Sequence, residues 1–158
     1  TLGDASALEK INQDSAIPQS REAPGDMGSA IPGIGGFSDP TALSLENIFS
    51  NVHFETNRYL IKGRENLNIV DKVARYMKEN PSAYIFVEGH CDERGAAAYN
   101  LSLGAKRSNS IRNLLIKGGI DLNRVFTISY GKERPLIQNA GSKSLAKNRR
   151  AQFKLYYR

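Results

Sequence analysis

From Leu45 to the C-terminus, hydrophobic spacing switches back and forth between a period of two and a period near 3.6, and that alternation restricts the fold more than any other feature. NIFSNVHF (47–54) is short and β-rich. RENLNIVDKVARYMKEN (64–80) then places Leu67, Val70, Ala74 and Met77 on one helical face, and Asn80-Pro81 ends that helix. AYIFVEG (83–89) alternates Ile85 and Val87 against Tyr84, Phe86 and Glu88, the mark of a second strand. NLSLGAKRSNSIRNLLIKGG (100–119) predicts a second helix with Leu103, Ser110, Ile111 and Leu114 inward and Gly118-Gly119 as its stop. VFTISYG (125–131) is a third strand, followed by a loop with Pro135 and a short polar helical stretch over 142–147. A last strand, RRAQFKLYY, sets Ala151, Phe153, Leu155 and Tyr157 on one face. The order β-α-β-α-β-(α)-β predicts a two-layer α/β sandwich, with right-handed crossovers between any parallel strands.

The preceding segment has no such period. SAIPQSREAPGDMGSAIPGIGGFSDP is rich in Pro, Gly, Ser and Ala and poor in bulky apolar groups, so residues 1–43 are expected to form a flexible linker and residues 44–158 the folded domain. GIGG at 33–36 has no strand before it and no Lys-Ser/Thr after it, which favours linker over phosphate loop. Charge divides at the same place. The chain carries 22 Lys+Arg against 16 Asp+Glu, but residues 1–43 hold two basic groups against six acids, which leaves the domain strongly basic. Such a surface draws anionic partners, with nucleic acid, anionic lipid and acidic polymer all open on sign alone. No run approaches the length of a membrane span and no signal peptide opens the chain, which reads as a mature or truncated soluble form.

Chemistry concentrates in GHCDERG (89–95), at the end of the second strand. His90 and Cys91 invite a Cys-His hydrolase, but adjacent residues leaving a strand point to opposite faces, and only His53 remains as another imidazole. A metal site from His53, His90 and Asp92 lacks the spacing of a zinc motif, and a single cysteine excludes an intramolecular disulfide. Cys91 is expected to be a small buried filler. Asp92, just past a strand end, stands where ligand sites of α/β sheets form, and Arg107 lies in the following helix with a fork suited to a carboxylate.

VEGHCDERG, YNLSLGAKRSNSIRNLL, ISYGKERP and KNRRAQF resemble, in order and spacing, the C-terminal domain of OmpA-like proteins, and among them the peptidoglycan-associated lipoproteins (Pal). The resemblance covers roughly residues 45–158 and implies a mixed four-stranded sheet. It also implies binding without catalysis, of the diaminopimelate residue of the peptidoglycan stem peptide. Asp92 would supply the anion for the ligand's ammonium and Arg107 the cation for its carboxylate. Phe54, Glu55 and Thr56 match positions that cover the ligand with an aromatic ring and backbone amides. Glu55 departs from the family pattern, and a carboxylate aimed inward there would repel the ligand's acid. Arg94 and Leu103 match further pocket positions, and Asn100 is expected to tie the loop to the helix start. Arg149 and Arg150 are expected as a structural pair at the strand start.

The same resemblance implies no cofactor, peptidoglycan and a TolB-like β-propeller protein as partners, and no nucleic acid. It places the domain on the periplasmic side of the bacterial outer membrane, held by an N-terminal lipid. Since Cys91 is the one cysteine, that anchor comes from the resemblance and not from these residues. A porin-type or stator-type OmpA-like protein, a Cys/His-dependent wall enzyme and a nucleic-acid binder are the competing readings.

Overall fold

The first helix, α1 (Arg64–Glu79), forms where the apolar period demands it, burying Leu67, Val70, Val73, Ala74 and Met77 along one stripe. It stops at Asn80, whose backbone N–H and side-chain Nδ2 both donate to the Tyr76 carbonyl, because Pro81 cannot continue it. The protein is described by a computed structural model covering residues 31–138 and 141–158; the sequence reading for residues 1–30 lies outside the described residues.

Four strands make one mixed sheet: β1 (Val52–His53), β2 (Ala83–His90), β3 (Val125–Gly131) and β4 (Arg150–Tyr157), in the spatial order β1-β4-β2-β3. β2 and β3 are parallel and joined through α2 (Ala97–Lys117), whereas β4 runs antiparallel to both β2 and β1. A short helix, α3 (Ser142–Asn148), precedes β4. α2 begins three residues ahead of the expected start, since Ala97, Ala98 and Tyr99 extend it toward the β2 end. It closes at Gly118 and Gly119, the latter with φ of 104°, a conformation that disfavours side chains with a Cβ.

The expected first strand over 47–54 shrinks to two residues. Leu45–Phe49 instead closes as a turn, with the Ile48 and Phe49 N–H groups on the Leu45 carbonyl, and Phe49 is buried against Tyr76 and Phe153. Apolar β-formers there satisfy the core without a ladder, since β propensity yields to tertiary packing.

α1 and α2 cover one sheet face, where Ile85, Val87, Phe153 and Leu155 meet Leu67, Val70, Ile111 and Leu114. α2 can lie close because two glycines meet: a Cβ on Gly89 would stand 1.7 Å from the Gly104 carbonyl oxygen. The opposite face carries Phe86 and Phe126, and it is closed by the segment expected to be the end of the linker. Phe37, only 6 % exposed, sets its ring edge-on to Phe86 at 4.9 Å. Ser38 exchanges two backbone hydrogen bonds with Leu155, at 2.7 and 2.8 Å, on the β4 edge that the short β1 leaves open. Packing therefore begins before residue 44, and the described part of 31–43 behaves as a strap across the sheet.

Candidate functional site

The parallel β2–β3 pair and the glycine contact bring four segments to one mouth at the C-terminal end of β2: the loop after β2, the first three turns of α2, the turn after β1, and Arg149 just before β4. A pocket of about 220 Å³ opens there, lined by Thr56, Asn57, Asp92, Arg94, Tyr99, Asn100, Leu103, Arg107 and Arg149, with Cys91 and Gly95. Asp92 and Arg107, expected to converge, share it.

Asp92 is 6 % exposed. Its Oδ1 accepts from the Arg94 backbone N–H at 3.1 Å and from Arg94 Nε at 3.2 Å, and its Oδ2 accepts from Arg94 Nη2 at 2.8 Å and Arg149 Nη1 at 3.2 Å. Burial pushes the carboxyl up, but the hydrogen bonds from Arg94 and Arg149 outweigh it and hold the group below the ordinary carboxylate value, so it is ionised at neutral pH. Arg94 and Arg149 hold Asp92 directly, while Arg107 acts on it through space.

Arg107 is wholly buried. Nε donates to the Arg58 carbonyl at 2.8 Å, Nη1 to the His90 carbonyl at 2.9 Å and Nη2 to the Glu55 carbonyl at 3.1 Å. These bonds use three of the five N–H groups of a guanidinium, and the Cys91 side chain is a further hydrogen-bond neighbour of the same group. Burial lowers its pKa, yet from so high a starting value that the charge persists at neutral pH. The ring of Phe54 lies 5.2 Å from the Arg107 guanidinium carbon.

The other expected residues divide between pocket and support. Thr56 lines the pocket and its hydroxyl accepts from Arg94 Nη2 at 3.3 Å. Leu103 forms an apolar wall. Asn100 sits inside α2 and not at its start, donating from Nδ2 to the Arg94 carbonyl at 2.7 Å, which fixes the loop as expected. Phe54 is a core residue under Arg107 and not a pocket cover. Glu55 contributes its carbonyl to Arg107, while the residue lines a neighbouring cavity, so it does not line the pocket beside Asp92.

Arg149 was assigned to structure from the sequence and serves both roles. Its Nε donates to the Phe54 carbonyl at 2.9 Å and its Nη1 to Asp92. The KNRR match was the available signal; what it lacked was the turn after β1, which folds back to meet it. Arg150 is structural as expected, donating to the Asn148 and Arg134 carbonyls and to Gln152 Oε1.

His90 and Cys91 do diverge. His90 Nε2 lies 3.0 Å from Glu88 Oε1 on the strap side of the sheet, its ring stacked with Tyr130. The Cys91 thiol donates to the Asn100 carbonyl at 3.2 Å on the helix side. Burial pushes that thiol up, away from the thiolate a nucleophile needs. Among the described residues no three His, Cys, Asp or Glu side chains gather as metal ligands.

Comparison with known proteins agrees with this architecture. The OmpA family model matches residues 53–149. The chain is 36 % identical over 117 residues to the peptidoglycan-associated lipoprotein of Haemophilus influenzae, covering 74 % of each chain. It is 34 % identical to that of Pasteurella multocida, covering 74 % of this chain and 75 % of the relative. Among solved structures, the peptidoglycan-associated lipoprotein from Burkholderia pseudomallei superimposes with a TM-score of 0.65 at 32 % identity, over 67 % of this chain and 89 % of that one. The C-terminal domain of Helicobacter pylori MotB, at 22 % identity and a TM-score of 0.63, shares the fold. With the family model spanning most of the folded residues, and lipoprotein relatives aligned over three quarters of its length, the chain belongs to the OmpA family and, within it, to the peptidoglycan-associated lipoproteins.

Proposed function

We propose that the chain is a non-catalytic binding module that holds peptidoglycan through the diaminopimelate residue of its stem peptide. One observation carries the reading: an ionised, nearly buried Asp92 and a buried, charged Arg107 line one small pocket. The free end of diaminopimelate presents an ammonium beside a carboxylate, and such a zwitterion needs one fixed anion and one fixed cation a few ångströms apart. The four acceptor sites of Asp92 are already engaged by Arg94 and Arg149. The ligand ammonium therefore displaces the side chain of Arg94, which is 52 % exposed and free to swing outward. Arg149, with its side chain 15 % exposed, stays.

The names of the relatives support the wider setting. On this reading the domain lies on the periplasmic side of the outer membrane, carried by an N-terminal lipid, and belongs to the Tol-Pal system with a TolB-like partner that competes for the same mouth. A raised Cys91 pKa and a His90 on the opposite face weigh against a wall enzyme.

Co-sedimentation with purified cell walls tests the proposal. Asp92→Asn preserves shape and removes the charge, and is expected to lower wall affinity about a hundredfold. Wall binding unchanged in Asp92→Asn would overturn the pocket assignment, and muropeptide release that vanishes in Cys91→Ala would replace binding with catalysis. Displacement of bound TolB by a diaminopimelate-containing peptide tests the competition.

A further inference from the structure

A second concavity, of about 390 Å³, adjoins the pocket and is larger than it. The two are divided by the turn at 55–58, in which the Arg58 N–H closes on the Glu55 carbonyl at 3.1 Å and Asn57 takes a left-handed φ of 59°. Arg107 clamps this ridge from beneath through the Glu55 and Arg58 carbonyls. Thr56 and Asn57 line the first cavity, Glu55 and Arg58 line the second, and Arg149 lines both.

Phe54, Leu60 and Ala146 give the second cavity apolar surface, while Arg58, Lys62 and Lys147 bring three cations against one acid, Glu55, beside an Arg149 already paired with Asp92. Arg58, Lys62 and Lys147 are exposed and form no ion pair among the described residues. An excess of uncompensated cations around a concave apolar floor attracts a carboxylate attached to small apolar groups. We propose that this second cavity is an anion subsite for the same wall peptide, taking a carboxylate from its alanine- and glutamate-containing part while the neighbouring pocket holds the diaminopimelate end.

The inference rests on the pocket reading above and extends it from one residue of the stem to two anchored points. Arg149 links them, because it is tied at once to Asp92 and to the Phe54 carbonyl on the ridge. His53 also lines the second cavity and reports on it. Partial burial and the Arg150 guanidinium depress its pKa, Arg149 and Lys147 act in the same sense, and Glu65 pulls it back up. A carboxylate seated there counters those cations and raises it.

Calorimetry with three probes decides the matter: meso-diaminopimelate alone, the tetrapeptide L-Ala-γ-D-Glu-meso-diaminopimelate-D-Ala, and that tetrapeptide with its glutamyl and terminal carboxylates amidated. The tetrapeptide is expected to bind about tenfold more tightly than free diaminopimelate, and the amidated peptide to lose that gain. Lys62→Gln with Lys147→Gln should erase the gain and leave diaminopimelate affinity unchanged. NMR titration should show the His53 ring pKa rising with the tetrapeptide and not with diaminopimelate. Equal affinities for all three probes, an unmoved His53, or a double variant that weakens diaminopimelate as much as the tetrapeptide would each overturn the subsite while leaving the pocket standing. Failure of all three probes to bind the native chain would remove the pocket reading and the subsite together.

Discussion

Two buried arginines stand on opposite faces of the sheet beside the same end of β2, and they are put to different uses. Arg107, on the helix side, spends three donors on carbonyls of the 55–58 turn and of the β2 end and still lines an open pocket. Arg150, on the strap side, is closed in by Glu88, His90, Arg134 and Gln152, and burial pushes its pKa down to about 10, with Glu88 pulling back. One guanidinium lines a mouth, the other is enclosed. A buried cation becomes a binding group only where the fold leaves a mouth beside it.

The sharpest way to break this comparison is to remove each arginine. Arg107→Ala empties a fully buried site and strips a donor from the His90, Glu55 and Arg58 carbonyls, and is expected to cost about 3 kcal/mol or more, with loss of diaminopimelate binding. Arg150→Ala should destabilise as well yet leave the affinity of the surviving folded protein intact, as urea melts paired with calorimetry would show. If Arg150→Ala abolished binding too, the division of labour between the faces would be wrong.

A smaller loss is expected from the strap. Phe37→Ala strips the cover from Phe86, Phe126 and Tyr156 and should cost about 2–3 kcal/mol, measured by thermal or urea unfolding. An unchanged melt would mean that residues 31–43 add nothing to the closed face.

The charged end of that face carries a pH dependence. Burial depresses the pKa of His90, its contact with Glu88 only partly countering, and His53 is depressed in the same direction. Each ring binds a proton less readily folded than unfolded, so stability is complete above the ordinary value of 6.5 and falls as pH drops through it. Asp92, also depressed, adds a further loss below its ordinary value of 3.8. His90→Gln should flatten the decline below pH 6.5, leaving the residual slope of His53, in urea melts taken at successively lower pH. The smallest effect is expected at the strap's rim. Asp39→Asn breaks an ion pair to Lys154 at 3.0 Å whose partners are 54 % and 26 % exposed, and should cost only about 0.5 kcal/mol or less.

Much of the fold was legible because its signals are local. The α1 stripe, the Asn80-Pro81 stop, the glycine stop of α2 and the span of β3 follow from residues that act within a few positions of one another. Failures fell where a distant segment decided. Leu45–Phe49 has strand-forming residues but finds its burial against Tyr76 and Phe153. Phe37 looked like one apolar residue in a Pro/Gly tract until β2, β3 and β4 assembled the aromatic floor on which it rests. At the site, Asp92, Arg107, Thr56 and Leu103 line one pocket, whereas the bond from Arg149 to Asp92 had no signal in the sequence. Arg149 is 57 positions away, and no spacing rule reaches that far.

Residue by residue, the chain determines the order of helices and strands after residue 51, where α1 and α2 stop, that its folded part is basic, and that His90 and Cys91 leave β2 in opposite directions, since these depend on backbone period and composition. Only the tertiary structure decided which carboxylate meets which guanidinium, that Arg107 is held by carbonyls, that residues 31–43 close a sheet face, and that one clamped turn separates two cavities. The physical reason is common to all four. Each is a contact between groups far apart in sequence, fixed by how close α2 can approach β2 at Gly89 and Gly104 and by the register of an antiparallel β4 against β1 and β2.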